Sequence, residues 1–160
     1  MKTNISALLQ FFNAAKLAGY VGGGKPVETW NIGNAEYEHA KGKWLYRDSF
    51  AGFLQSWGKE TIWFNNKPIW TQLYGGGMER AFYGDKTFVK RTFAFLQLAL
   101  QKEPLKDVFQ PRGPERFTDG DFEYYNSFRG NIHAFSGEEV IAYKKQSVFT
   151  HQFFGGLFLE

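Results

Sequence analysis

The chain writes one stretch twice. Gly42, Tyr46, Ser49, Phe50 and Gly52 recur 78 residues later as Gly120, Tyr124, Ser127, Phe128 and Gly130. After one inserted residue, Gly58, Glu60, Ile62, Thr71, Gly76 and Gly77 recur as Gly137, Glu139, Ile141, Thr150, Gly155 and Gly156. Like-for-like exchanges such as Trp44/Phe122, Trp57/Phe135, Ile69/Val148 and Trp70/Phe149 fill the spaces between them. Self-similarity at a fixed offset restricts the fold more than local propensity does, because neighbouring units must bury their apolar faces together. At 160 residues the chain has the size of one domain. The expectation is a single domain over 1–160, with one unit at about 4–78 and the second at about 85–158.

Each unit reads as a helix, a long loop and an antiparallel meander. Ile5, Leu8, Leu9, Phe12 and Ala15 fall at helical spacing, with Asn4 placed to cap and Gly19 to stop, so a helix is predicted over 5–18. Gln10, Asn13 and Lys16 interrupt the apolar run, which suits an amphipathic helix and not a signal peptide. Residues 20–34 form a loop with four Gly and one Pro. Strands are predicted at 36–39, 43–50, 53–57, 61–64 and 68–74, with Asn65-Asn66-Lys67 as a hairpin turn. Asp85 caps a second helix whose stripe is Phe88, Thr92, Phe95, Leu96 and Ala99, ended before Pro104. A Pro/Gly loop over 105–114 precedes strands at about 115–118, 121–129, 131–135, 139–143 and 147–154. The fold class is therefore α+β, two pseudo-symmetric helix-plus-meander repeats sharing one core.

Composition closes several functional classes. The absence of cysteine excludes disulfides, thiolate catalysis and cysteine-ligated zinc, and is compatible with a cytoplasmic location. No run approaches the 18 or more apolar residues of a membrane span. A net charge of +3 is too mild for a duplex-DNA binder. Aromatic residues make up 19% of the chain, more than a core of this size needs, so some rings should reach a cleft.

Strand alternation carries the functional reading, since successive side chains point to opposite faces. Trp44, Tyr46, Asp48 and Phe50 share a face, matched by Phe122, Tyr124, Asn126 and Phe128. Phe53, Gln55 and Trp57 share another, matched by Asn131, His133 and Phe135. Trp70, Gln72 and Tyr74 share a third, matched by Phe149, His151 and Phe153. Three strands thus set a hydrogen-bonding side chain among rings, in both units. Either Asp48/Asn126, Gln55/His133 and Gln72/His151 bond one another and the main chain, or they converge on an aromatic-walled pocket. A flat, partly anionic guest such as a nucleotide would stack there, with Arg47, Arg112, Arg116 or Arg129 to meet a phosphate.

Glu60 and Glu139 are the repeated acids. They could form a catalytic carboxylate pair, or accept main-chain N–H groups at a bulge. Copied sites tend to be alike, whereas an acid–base pair needs unlike environments, so the structural role is preferred. Gly22-Gly23-Gly24-Lys25 follows a helix and precedes no Ser or Thr, which fits a connector better than a phosphate cradle. His39, His133 and His151 lack compact ligand spacing, and a zinc site of His133, His151 and Asp48 is set aside in favour of ordinary hydrogen-bonded histidines.

Tyr46-Arg47-Asp48-Ser49-Phe50-Ala51-Gly52, Trp57-Gly58-Lys59-Glu60, Lys67-Pro68-Ile69-Trp70 with Tyr74-Gly75, Arg112-Gly113-Pro114, Phe135-Ser136-Gly137-Glu138-Glu139 and Phe154-Gly155-Gly156 together resemble an uncharacterised bacterial family, domain of unknown function 5680. Glu36-Tyr37 opens that resemblance, which spans nearly the whole chain. Trp70-Thr71-Gln72-Leu73 departs from the Trp-x-Met-Asn common in the family, and the stretch after Gly24 is poorly matched. Members stand alone or follow helix-turn-helix domains of Xre-type regulators, which implies a sensor or ligand-binding role and no established reaction. The chain opens directly with the domain, so no DNA-reading half is expected in it.

The resulting expectation is a non-enzymatic small-molecule-binding domain for a flat anionic ligand such as a nucleotide-type signal, which it senses or sequesters. The ligand-binding set is Tyr46, Asp48, Gln55, Trp57, Trp70, Gln72, Tyr74, Arg112, Tyr124, Asn126, Arg129, His133, Glu139 and His151. No catalytic residue, metal or cofactor is assigned. The partner is a small-molecule ligand, with no duplex DNA and no membrane, and a homodimer is left open. The alternatives are a hydrolase-like enzyme using Glu60, Glu139 or His151, and a protein-interaction module with exposed aromatics.

Overall fold

The computed structural model describes residues 4–102 and 108–158. Helix α1 is Ile5–Ala18, capped by Asn4, whose Oδ1 accepts from the Ala7 amide at 3.1 Å. Helix α2 is Lys86–Leu100, capped likewise by Asp85, which accepts from the Phe88 amide at 2.9 Å. The strands are β1 Ala35–Lys41, β2 Trp44–Gly52, β3 Gln55–Phe64, β4 Lys67–Met78, β5 Arg116–Asp119, β6 Phe122–Asn131, β7 Ala134–Tyr143 and β8 Gln146–Leu157. A short 3₁₀ turn, Tyr20–Gly22, follows α1 within the predicted loop. Residues 105–107 and Pro104, where the second loop begins, lie outside the described residues.

All eight strands join one antiparallel sheet in the order β1-β2-β3-β4-β8-β7-β6-β5. Each helix thus precedes a four-strand meander, and the meanders meet along β4 and β8. Two hairpins turn on residues with positive φ: Asn65 and Asn66 at 51° and 62°, and Lys144 and Lys145 at 49° and 68°. Both central residues in that region define the turn whose twist matches the strands it joins.

Two strands depart from the expected pattern. Gly58 does not break β3, and Gly137 does not break β7. Gly58 is there for space: a Cβ on it would stand 2.4 Å from the Tyr74 ring on the neighbouring strand. The continuous strand assigns the faces differently. Ser56, Glu60 and Ile62 point one way, while Gln55 and Trp57 point the other.

One face of the sheet is covered and the other open. On the covered face α1 packs Leu8 and Phe12 against Tyr46, Ile62, Trp70 and Phe153, and α2 packs Phe88 and Phe95 against Phe122, Tyr124, Ile141 and Phe149. Phe149 and Phe153 stand at even spacing on β8, so both helices lie over the same face. Trp57, Leu73 and Phe154 are exposed. Among the described residues, no helix is long and apolar enough to cross a membrane.

Candidate functional site: a buried charged cluster beside a cavity

Two polar rows cross the covered face between the apolar clusters. Asp48 on β2 stands opposite Glu60 on β3, which stands opposite Gln72 on β4. Asn126 on β6, Glu139 on β7 and His151 on β8 repeat that arrangement. All six are nearly withdrawn from solvent. Two cations enter from outside the sheet: Arg112, from the loop before β5, and Lys16, from the sheet-facing side of α1. Leaving such groups buried and unpaired would cost several kcal/mol each, so their partners govern the site.

Glu139 collects most of the donors. Arg112 Nη2 and Nε donate to its Oε1 at 2.7 and 3.0 Å, and Tyr124 donates to its Oε2 at 2.7 Å. His151 Nδ1 lies 3.1 Å from Oε1. Burial alone would raise the Glu139 pKa, but Arg112 and His151 override it and hold the group at about 2. The resulting carboxylate can only accept, so His151 Nδ1 carries the proton. Tyr124 is fixed in turn, its hydroxyl accepting from the Gly113 amide at 2.9 Å, and Asn126 donates to the Gly113 carbonyl at 2.7 Å.

Glu60 is less well served. It receives a long 3.4 Å contact from Arg112 Nη1 and another of 3.4 Å from the Gln72 amide, while its Oε2 has no partner among the described residues. Burial first, then the neighbouring Asp48 charge, push its pKa up to about 8, against the pull of Arg112 and Lys16. At pH 7 Glu60 is therefore largely protonated, and its contact with Arg112 is a hydrogen bond more than an ion pair. Asp48 is raised by burial to about 6, moderated by the 2.7 Å hydrogen bond that Tyr74 donates to its Oδ1. Lys16 is lowered by burial to about 8, and its Nζ donates to the carbonyls of Gln110 and Arg112 at 3.2 and 3.3 Å.

Beside this cluster lies a cavity of about 180 Å³. Its sheet wall carries Tyr46, Asp48, Phe50, Ser56, Glu60, Tyr74 and His151; Phe53 closes one rim. Its roof is Lys16, Tyr20 and Val21 on one side and Phe93, Leu96 and Leu100 of α2 on the other, with Pro111 and Arg112 at the third. Walls that are mostly apolar, with a few convergent polar groups, are the usual form of a small-ligand site.

Of the expected ligand-binding set, Tyr46, Asp48, Tyr74, Arg112 and His151 line this cavity, while Tyr124, Asn126, Gln72 and Glu139 form the buried network behind it. The others lie elsewhere. Gln55 faces away and donates to the Met78 carbonyl at 2.9 Å. Trp57 is 68% exposed on the open face, and Trp70 is sealed between Phe12 and Phe135. His133 precedes β7 and is exposed, and Arg129 is exposed beside Ser136. Of the arginines proposed to meet a phosphate, Arg112 is engaged with Glu139, Arg47 with Glu38 and Arg116 with Glu123, while Arg129 donates to the Ser136 hydroxyl at 3.0 Å. Glu60 and Glu139 accept from side chains in mid-strand, not from main-chain amides at a bulge. Among the described residues no three His, Asp or Glu side chains converge as metal ligands.

Sequence reasoning passed over Lys16, Tyr20 and Ser56. Lys16 reads as a polar interruption in an amphipathic helix, and Ser56 changes face once β3 runs unbroken through Gly58. The one signal for Lys16 was its four-residue spacing from Phe12, which places both on the buried stripe.

Fold and site together define an α+β domain in which two helices roof one face of an eight-stranded antiparallel sheet over a buried charged cluster. The chain belongs to the family called domain of unknown function 5680, whose profile matches residues 48–158. That span holds Asp48, Glu60, Arg112, Glu139 and His151, and leaves out α1 with Lys16. No curated protein and no solved structure matches the chain.

Proposed function

We propose that this domain binds a small molecule in the cavity between sheet and helices, as a flat, largely apolar ring with N–H donors. The observation that carries this is Asp48. It lines an aromatic-walled cavity, it is mostly ionised at pH 7, and among the described residues only Tyr74 donates to it. A guest donating to its free oxygen would satisfy a buried carboxylate, and hydrogen bonds to charged groups are worth about 1.5–3 kcal/mol. Size limits the buried part, since a cavity of about 150 Å³ accommodates benzene. A nucleobase-sized group fits better than a whole nucleotide. The engaged arginines favour a neutral or weakly cationic group inside, so a nucleotide's phosphate would remain at the mouth.

We also read α1 to β4 and α2 to β8 as two pseudo-symmetric units; the mirrored strand order and the matching registers of the two polar rows support it. Such a protein senses or sequesters its guest. The test is thermal denaturation and calorimetry of the full chain against nucleobases, nucleosides and nucleotides, with mass spectrometry of molecules released from freshly purified protein. A ligand at one hundred times its Kd adds about 2.7 kcal/mol, a rise of roughly 5–10 °C for a chain of this size. No shift with any member and no released molecule would overturn the proposal.

A second reading, a hydrolase-like enzyme, is favoured by one feature. Glu60 and Glu139 are driven to opposite protonation states, the division an acid–base pair requires. The premise that the two acids share one environment does not hold. Recovery of a bound molecule chemically changed would select this reading over the first.

A further inference from the structure

Ser56, His151 and Glu139 stand in a line that ends at the cavity. Ser56 Oγ lies 3.4 Å from His151 Nε2, and His151 Nδ1 lies 3.1 Å from Glu139 Oε1. Ser56 is half-buried and lines the cavity together with His151, whereas Glu139 is wholly enclosed behind them. A hydroxyl in reach of an imidazole that a buried carboxylate orients is the arrangement that activates a serine nucleophile, recognised by geometry and not by sequence order. The separation of 3.4 Å is long for a finished hydrogen bond, as such pairs often are before substrate tightens them. Three features serve the chemistry. Glu139 is ionised, which fixes the proton on Nδ1 and leaves Nε2 to face Ser56. Arg112 and Tyr124 hold the carboxylate in place at 2.7 Å each. The cavity beside Ser56 has room for a ring-sized group against Phe50, Phe53 and Phe93.

From this geometry we infer that Ser56 is an acyl-accepting nucleophile, with His151 as its base and Glu139 as the positioning residue, acting on small carboxylic esters whose apolar part occupies the cavity. Ser56 Oγ would bond to the ester carbonyl carbon as its proton passes to His151 Nε2. The C–O bond to the leaving alcohol then breaks and His151 returns the proton to that alcohol. Water next attacks the carbonyl carbon of the Ser56 ester and gives a proton to His151; the bond from that carbon to Oγ breaks, Oγ takes the proton back from His151, and the carboxylic acid leaves. This rests on the cavity being a ligand site, and adds a reaction to it.

The experiment treats the full chain with phenylmethylsulfonyl fluoride and with 4-nitrophenyl acetate, and follows intact mass and the modified peptide. A single adduct on Ser56 is expected, absent from Ser56→Ala, which retains the fold because the side chain is small and half-exposed. In His151→Gln the modification rate falls about 100-fold or more, the usual contribution of a positioned base. For Glu139, the comparison is Glu139→Gln with Thr92→Ala, which removes the buried hydrogen bond from Thr92 to the Phe88 carbonyl within α2. Both remove a buried hydrogen bond, but only the first disturbs the contact with His151, so only the first slows modification of Ser56. No adduct on Ser56 with either reagent, or equal rates in His151→Gln, overturns the inference. Ligand-induced stabilisation that persists in Ser56→Ala would leave the binding reading intact in that event, whereas its absence from the unaltered chain would remove both.

Discussion

Glu60 and Glu139 occupy corresponding places in the two meanders and end in opposite chemical states. Each sits in the third strand of its meander, opposite Asp48 or Asn126 on one side and Gln72 or His151 on the other. Around Glu139 the neighbours are donors: Arg112, Tyr124 and His151. Around Glu60 they are a second carboxylate, an amide at 3.4 Å and the far edge of the same guanidinium. A single cation supplied from a loop cannot serve two buried acids equally, and the one that receives two of its N–H groups keeps the negative charge. The difference teaches that sequence similarity fixes the position of an acid, while its protonation follows from whichever non-repeated residue reaches it.

The comparison is most directly broken at Arg112. Arg112→Ala leaves Glu139 buried without its counter-charge and should cost about 3–5 kcal/mol in urea denaturation at pH 7. Glu139→Gln strands Arg112 instead and should cost about 3 kcal/mol; an equal loss in Glu60→Gln would mean that the two acids are not different after all. Tyr124→Phe removes a bond given to a carboxylate and one accepted from Gly113, whereas Tyr74→Phe removes only the bond to Asp48. The first should therefore exceed the second, within the roughly 1.5–3 kcal/mol of charge-assisted hydrogen bonds.

The smallest effect is also the most telling. The folded pKa of Glu60 lies above its unfolded value of 4.5. The folded chain therefore holds a proton that the unfolded chain has lost between about pH 4.5 and 8. Stability from this group is full below the unfolded value and is lost as pH rises toward about 8, at up to about 1.4 kcal/mol per pH unit. Glu60→Gln, isosteric with the protonated acid, should change stability by less than about 1 kcal/mol at pH 5 and should flatten that slope. Glu139 works in the opposite sense, its contribution being lost as pH falls through about 2. Denaturation midpoints measured from pH 2 to 8 test both, and an unaltered slope in Glu60→Gln would refute the assignment of the proton.

Much of this frame was legible in the residues. Spacing and caps placed α1 at its observed bounds, and alternation put Asp48, Gln72 and His151 on the covered face because polar side chains among rings mark the inward side. Gly58 misled, since a glycine in strand sequence signals either a break or a close approach, and only the Tyr74 ring decides between them. That decision hid Ser56 and turned Gln55 and Trp57 inward. The partners were out of reach for a related reason. Arg112 reaches Glu139 from a loop 27 residues away, and Lys16 reaches the Arg112 carbonyl across 96. No local pattern encodes contacts at such separations. Rings in excess of the core were expected at a cleft; Phe50, Phe53 and Phe93 are there, and Trp57 and Phe154 are on the open face instead.

The seam where β4 pairs with β8 has a consequence for the chain as a single polymer. Its hydrogen bonds join residues such as Trp70 and Leu157, and Phe135 and Phe153 sit under α1, the helix at the opposite end of the sequence. A break in the connection before α2 would therefore yield two fragments, each carrying an open strand edge and an uncovered apolar surface that the other completes. Neither fragment would stay soluble by itself, and mixing the pair from denaturant would restore the whole through mutual templating.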